Sequence, residues 1–296
     1  SMGVPTDRLI DVDPNVPIHL NPAQVTTHLA QNHTARCQVV VIGTGAGGGV
    51  VACELAERGI DVIMIEAGHF FDPKGFGVDV NQHLRETYWY GGATVAIGRP
   101  GIPIPLGRTV GGSTTINSGT CFRAPDRVLK RWENQGLPLD WAQLDSAYSR
   151  VEQRISVQPV PANLLGGSSD VIARGAEALR LKHGPLKRNI RGCGQSAVCA
   201  FGCPRNAKQS TNITYVPWAL EHGAQLYSGF RAEAVIVEGG RAAGVRARCI
   251  ASGKELIIRA DAVISACGTI GSVPFLKGSK LRNPHLGRHL SIHPAT

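Results

Sequence analysis

Two uninterrupted apolar runs stand near the start of the chain, at residues 39–42 (Val-Val-Val-Ile) and 62–65 (Val-Ile-Met-Ile). Both are short and free of polar alternation, which predicts strands buried on both faces. Between them, residues 48–57 carry Val51, Leu55 and good helix formers, which predicts a helix. Helical periodicity returns at 123–133, at 141–155 behind the N-cap candidate Asp140, and at 168–181 with Val171, Ile172, Ala176 and Leu179 on one face. A further helix is predicted over 213–221, ending near Gly223. Strand-like segments follow at 225–227, 232–237, 244–250 and 255–259, with Gly239-Gly240 and Ser252-Gly253 as hairpin turns. Residues 261–267 form another buried-strand run, closed by Gly268. No internal repeat interrupts this order.

The pattern predicts an α/β fold: a Rossmann-like domain with a parallel sheet and an added antiparallel β segment. Residues 1–36, rich in Pro, Asn, Thr and His, read as an N-terminal arm with a short helix near 22–31. Residues 37–296 read as the binding domain together with the beginning of a substrate or cap region, at about 68–107 and 125–210, so that the substrate domain is incomplete. The 68–107 stretch is rich in Gly and Pro and lacks a long periodic segment, as expected of a chain that wraps over a ligand.

The first strand runs directly into Gly43-Thr44-Gly45-Ala46-Gly47-Gly48, and the second ends on Glu66-Ala67. Strand, GxGxxG turn, helix, strand and terminal acid make up a dinucleotide-binding unit. Gly43 permits the tight turn, Gly45 lets the backbone approach a pyrophosphate, and Gly48 lets the helix pack against the strand. The helix N-terminus offers unpaired N–H groups to the anion. Glu66 is placed to accept hydrogen bonds from a ribose diol, which favours FAD or NAD over a 2′-phosphorylated cofactor. A second glycine motif, Gly107-Arg108-Thr109-Val110-Gly111-Gly112-Ser113-Thr114-Thr115-Ile116-Asn117, supplies paired glycines followed by hydroxyls. Such a loop suits a phosphate or a flavin edge.

Composition narrows the partners. A charge of +9 invites nucleic acid, but the basic residues are scattered with little aromatic interleaving, so no nucleic-acid partner is expected. No apolar run approaches the roughly 18 residues of a membrane span. The start, Ser1-Met2-Gly3, lacks a basic-then-apolar leader, so a cytoplasmic protein, at most peripheral to a membrane, is expected.

The two glycine motifs in this order resemble those of the glucose–methanol–choline (GMC) flavin oxidoreductases. The resemblance continues through residues 260–268 (Ala-Asp-Ala-Val-Ile-Ser-Ala-Cys-Gly) and 286–294 (Leu-Gly-Arg-His-Leu-Ser-Ile-His-Pro). It implies FAD contacts at Gly43, Gly45, Ala46, Gly47, Gly48, Glu66 and Ala67. It adds Arg108, Val110, Gly111, Gly112, Ser113, Asn117, Gly119 and Thr120 near the pyrophosphate and ring. It also suggests Ala232 on the adenine side and Gly268 beside the first turn. Ile116 stands where some members carry a flavin-linked histidine, so FAD is expected to be non-covalent. The implied reaction is hydride transfer from an alcohol CH–OH carbon to the flavin. None of the ten histidines matches the family's catalytic motif; His285, His289 and His293 cluster near the end without it. No catalytic residue is therefore assigned, and a C-terminal segment or second polypeptide is expected to complete the active site. An electron-transfer flavoprotein subunit without substrate chemistry of its own is the alternative.

Cys193, Cys199 and Cys203, followed by Pro204, share one glycine-rich loop. Three thiolates there suit an iron–sulfur cluster. The spacing resembles the loop of FAD-dependent sugar and polyol dehydrogenases that hold a 3Fe–4S cluster, from which electrons pass to an external acceptor. The following segment resembles equally the long-chain alcohol oxidase branch. A disulfide, free thiols, or zinc lacking an obvious fourth ligand are the other readings of the loop. Cys37, Cys53, Cys249 and Cys267 read as buried small hydrophobes.

Overall fold

A computed structural model describes residues 20–72, 76 and 79–292. Most of the proposed N-terminal arm, and His293-Pro294, lie outside the described residues. The chain enters with a 3-10 turn at Pro22–Gln24 and the short strand β1 (Val25–Thr26), in place of the helix expected there. Strand β2 (His33–Ile42) starts well before the apolar run, so residues 33–36 already belong to the sheet. Helix α1 (Ala46–Ala56) and strand β3 (Val62–Glu66) follow, then α2 (Val80–Thr87) and a small hairpin of β4 (Val95–Ala96) and β5 (Ile102–Pro103). The second glycine motif leads into the short helix α3 (Ser113–Ile116). Next come α4 (Asp126–Asn134), α5 (Trp141–Arg154), β6 (Val157–Pro159), α6 (Gly167–Ala178) and β7 (Lys187–Asn189). The chain returns through α7 (Tyr215–Glu221), β8 (Gln225–Ser228), β9 (Phe230–Glu238), β10 (Arg241–Cys249), β11 (Glu255–Ser265) and α8 (Gly268–Gly278).

The main sheet has the order β1-β8-β3-β2-β11-β10-β9. Its first five strands pair in parallel, and β10 joins β11 and β9 antiparallel. The α/β fold with an added antiparallel segment is therefore as the sequence implied. The turns Gly239-Gly240 and Ser252-Gly253 do join antiparallel strands. The two runs at 255–259 and 261–267 belong to one strand through residue 265, because residues 256–260 and 262–265 pair along β2 in a single register.

Period-two alternation explains how the parallel strands carry two cores. Val41, Val62 and Met64 face one side with Ala52, Cys53 and Ala56 of α1 and Val216, Ala219 and Leu220 of α7. Val40, Ile42, Ile63 and Ile65 face the other, against Phe230, Val245, Leu256, Ile258 and Phe275. Each Val, Leu, Ile, Met or Phe among them contributes about 1.5–3 kcal/mol on burial. Cys37, Cys53 and Cys249 are buried as expected, Cys267 only partly, and all eight cysteines are free thiols. Helix α6 forms, but Val171, Ile172 and Leu179 on its apolar face are 59%, 69% and 71% exposed, so that face is not packed on the core.

The register brings chemistry to one edge. Ile42 pairs with Ile65 and with Ser265, and Glu66 pairs with Ser228. The carboxyl ends of β2, β3, β8 and β11 thus open together, where ligands bind in parallel α/β sheets.

Candidate functional site: two glycine turns sharing one threonine

The first turn leaves β2 at Gly43, whose φ of 97° is left-handed. A Cβ there would collide with the Ala266 carbonyl at the end of β11. One at Gly48 would collide with the Gly43 carbonyl, so both glycines are needed for the turn to close. Gly45 caps α1 with no side-chain bond, and no acidic residue lies in the helix's first turn. Its opening N–H groups and partial positive charge are therefore unopposed. Ala46 and Gly47 are exposed, and a Cβ on Gly47 would meet nothing within 4 Å.

Glu66 closes β3 with both carboxylate oxygens engaged. Oε2 accepts from the Thr44 N–H at 3.0 Å and from Thr44 Oγ1 at 2.8 Å, and Oε1 accepts from the Gly68 N–H at 3.0 Å. Burial pushes its carboxyl up, opposed by the bonds from Gly68 and Thr44. Ala67 continues the strand end, half-buried. The Gly229 N–H donates to the Glu66 carbonyl at 2.9 Å, so β9 departs from this corner and carries Ala232 past it. Ala232 packs with the core cluster that contains Ile65.

The second turn lies directly on the first. Gly111 and Gly112 have φ of 92° and 52°, and a Cβ on Gly112 would stand 3.1 Å from the Gly45 Cα. The Gly111 N–H donates to Thr44 Oγ1 at 3.0 Å. Thr211 Oγ1 donates to the Thr44 carbonyl at 2.9 Å, and the Thr211 N–H donates to Thr114 Oγ1 at 3.1 Å. Thr114 Oγ1 in turn donates to the Gly111 carbonyl at 2.6 Å. Thr44, wholly buried, therefore ties the acid of β3 to the second glycine pair. Neither Thr44 nor Thr211 carries a recognisable motif beyond its neighbours.

The remaining expected residues fall around these turns. Val110 is buried, with its N–H donating to the His69 carbonyl at 3.0 Å. Arg108 lies over the Trp89 ring at 5.8 Å, where Arg231 approaches at 5.9 Å. Ser113 Oγ accepts from the Gly107 N–H at 3.0 Å. Asn117 Oδ1 accepts from the Gly119 N–H at 3.0 Å, and Asn117 and Thr120 are exposed. Gly268 opens α8 beyond the Ala266 contact with Gly43. The open Gly47, the uncapped α1 terminus and the buried acid at the strand end together fit a dinucleotide carrying a pyrophosphate and a ribose diol.

The cysteine loop gives the expectation of a metal no support. Among the described residues no group of three potential ligands is positioned to hold a metal ion, so Cys193, Cys199 and Cys203 are not brought together as a ligand set. Two of the thiols accept hydrogen bonds from the protein instead. Cys199 Sγ accepts from Arg188 Nη2 at 3.1 Å, and Cys203 Sγ from the Lys208 N–H at 3.5 Å. The Arg205 side chain lies across Gly194. The described arrangement of these residues offers no ligand set for a 3Fe–4S cluster. At the chain's end His285 Nδ1 and His289 Nε2 lie 3.3 Å apart, both exposed, with His293 outside the described residues. Among the described residues no helix is long and apolar enough to cross a membrane.

Comparison with known proteins adds the family. A model described as GMC oxidoreductase matches residues 84–295. An uncharacterized GMC-type oxidoreductase of Mycobacterium tuberculosis is 40% identical over 265 residues, covering 88% of this chain and 42% of that protein. Long-chain-alcohol oxidase FAO4B of Arabidopsis thaliana is 32% identical over 274 residues, covering 88% and 36%. A cholesterol oxidase of Acinetobacter baumannii is 23% identical over 227 residues, covering 64% and 39%. The chain spans less than half the length of each of these three relatives.

Proposed function

The chain belongs to the GMC oxidoreductase family, and from that premise we propose that it binds FAD non-covalently and forms the flavin-binding part of an enzyme that oxidises an alcohol CH–OH group. The observation that carries the proposal is the seating of Gly111-Gly112 on Gly45 through Thr44, beside the buried Glu66. An NAD site of the ordinary kind uses the first turn and the acid but has no role for the second glycine pair.

In this reading the α1 N-terminus and Gly45–Gly48 receive the pyrophosphate, and Glu66 receives the adenosine ribose. Thr44 holds that carboxylate and Gly111 in fixed relation. Residues 108–120 border the remainder of the cofactor, with Arg108 kept in place by the Trp89 ring. When bound, FAD supplies hydride acceptance, and the protein supplies position and electrostatics. The proton of the alcohol is assigned to no residue of this chain; a C-terminal segment or a second polypeptide provides that base. Alcohol oxidases among the relatives favour a hydrophobic alcohol as substrate. No residue of the cysteine loop is assigned to electron delivery in this reading.

The test is reconstitution. Purified chain stripped of ligand is titrated with FAD and with NAD, following flavin fluorescence and visible absorption. Saturable FAD binding with NAD unable to compete supports the assignment, and preferential NAD binding would refute it.

A further inference from the structure

The most unusual group outside the glycine turns is Lys208. Its side chain is 1% exposed. Its ammonium donates to the carbonyls of Thr115 at 2.7 Å, Asn117 at 2.6 Å and Cys199 at 2.7 Å. An ammonium has three N–H donors, and all three are used. Among the described residues no carboxylate pairs with it, and its burial cost is met chiefly by oriented backbone dipoles. Two of those carbonyls belong to the last turn of α3 and the residue that caps it, and the third belongs to the cysteine loop.

The surrounding contacts lock the same segment. The Asn189 N–H donates to the Gly119 carbonyl at 3.0 Å, and a Cβ on Gly119 would sit 2.6 Å from Asn189 Oδ1 and 3.4 Å from the Lys208 stem. Gly119 has a φ of 74°. The segment 117–120 is therefore clamped between the lysine and β7. The loop bearing Cys193, Cys199 and Cys203 meets this ammonium through the Cys199 carbonyl.

We propose that Lys208 is a positioning residue for the cofactor: its ammonium fixes the carbonyls of Thr115 and Asn117, and so fixes the conformation in which residues 117–120 meet the flavin. This rests on the FAD reading above. It gives the cysteine loop a role distinct from iron binding, as the strap that carries Lys208 beneath the second glycine motif. Burial lowers the lysine from 10.5 to about 8, with the neighbouring Cys199 and Cys203 opposing the shift.

The experiment compares FAD affinity and the flavin visible spectrum for wild type, Lys208→Met, Lys208→Arg and a triple variant with Cys193, Cys199 and Cys203 all changed to Ala. Loss of three charge-assisted bonds that order the turn predicts an affinity at least about tenfold weaker for Lys208→Met, with an altered flavin band shape. The triple cysteine variant keeps FAD affinity within about threefold, because the ammonium bonds the Cys199 carbonyl and no thiol, and the long Lys208 N–H bond to Cys203 Sγ is a weak one. If Lys208→Met does not fold, Lys208→Arg decides the matter. Its planar fork cannot reproduce three converging bonds, so weakened affinity and a changed spectrum are expected. Wild-type affinity and spectrum in the folded lysine variants overturn the inference while leaving the FAD reading intact. Flavin loss in the cysteine variant with none in the lysine variants does the same. Failure of the wild-type chain to take up FAD overturns both.

Discussion

Thr44→Val removes one hydroxyl from the point where both glycine turns and the acid meet. Valine keeps the shape of threonine, so the loss is chemical rather than steric. Oγ1 donates to Glu66 Oε2 at 2.8 Å and accepts from the Gly111 N–H at 3.0 Å. The first bond is to a charged group, worth about 1.5–3 kcal/mol. The second loss leaves a buried N–H without its acceptor, at about 1–3 kcal/mol. The backbone N–H groups of Thr44 and Gly68 stay on the carboxylate and moderate the first figure. A net destabilisation of about 3 kcal/mol follows, which lowers the melting temperature of a chain this size by about 6–12 °C. FAD affinity falls as well, because Glu66 and Gly111 lose their common anchor. Thermal unfolding of the ligand-free protein and fluorescence titration with FAD read the two effects. Thr44→Ser, which restores the hydroxyl, recovers most of both. A Thr44→Val protein that melts within about 1 °C of wild type and binds FAD equally would refute the shared-anchor argument.

Gly45→Ala separates the fold from the ligand. The Gly45 φ of −68° suits alanine, and the nearest atom to its Cβ is the Gly111 carbonyl oxygen at 4.0 Å. The ligand-free protein should therefore melt near wild type while FAD affinity falls by at least about tenfold, equal to about 1.4 kcal/mol. Glu66→Gln tests the buried acid. Burial raises the Glu66 carboxyl above 4.5, so the stability this group contributes is greatest below that value and is lost as pH rises through the raised one. Melting curves against pH should show that decline in wild type and less of it in Glu66→Gln. For Lys208 the sign is opposite. Its folded value of about 8 lies below 10.5, so its contribution is present above 10.5 and lost as pH falls through about 8. The difference in stability between wild type and Lys208→Met should change across that window, measured by denaturant unfolding.

The parts of the fold that local pattern controls were legible in the sequence. The runs at 39–42 and 62–65 announced central strands because both faces of those strands are buried. The glycine pairs at 239–240 announced a hairpin because the turn itself needs positive φ, found at 56° and 78°. Tertiary pairing was less visible. His33-Thr34-Ala35-Arg36 lies in β2 because β11 pairs with it, and no apolar pattern marks it. Polar residues at 259 and 261 divide the apolar pattern into two runs, although pairing with β2 keeps one register on both sides of Asp261. The face of α6 followed the expected helical period yet remains exposed, since periodicity shows where a stripe lies and not what covers it. Around the glycine turns, motif spacing located Gly43, Gly45, Gly48 and Glu66. Thr44, Thr211 and Lys208 escaped because their roles depend on bonds to distant segments. The cysteine spacing is equally silent on arrangement in space: among the described residues the three thiols form no metal-ligand group.

The central claim is that one FAD sits across the two glycine turns. Titration of the ligand-free wild-type chain with FAD, alongside Gly45→Ala, tests it most directly. The account predicts saturable binding at one FAD per chain in wild type and a loss of affinity in a variant that melts normally. Absence of binding in wild type, or equal binding in the two proteins, would contradict it.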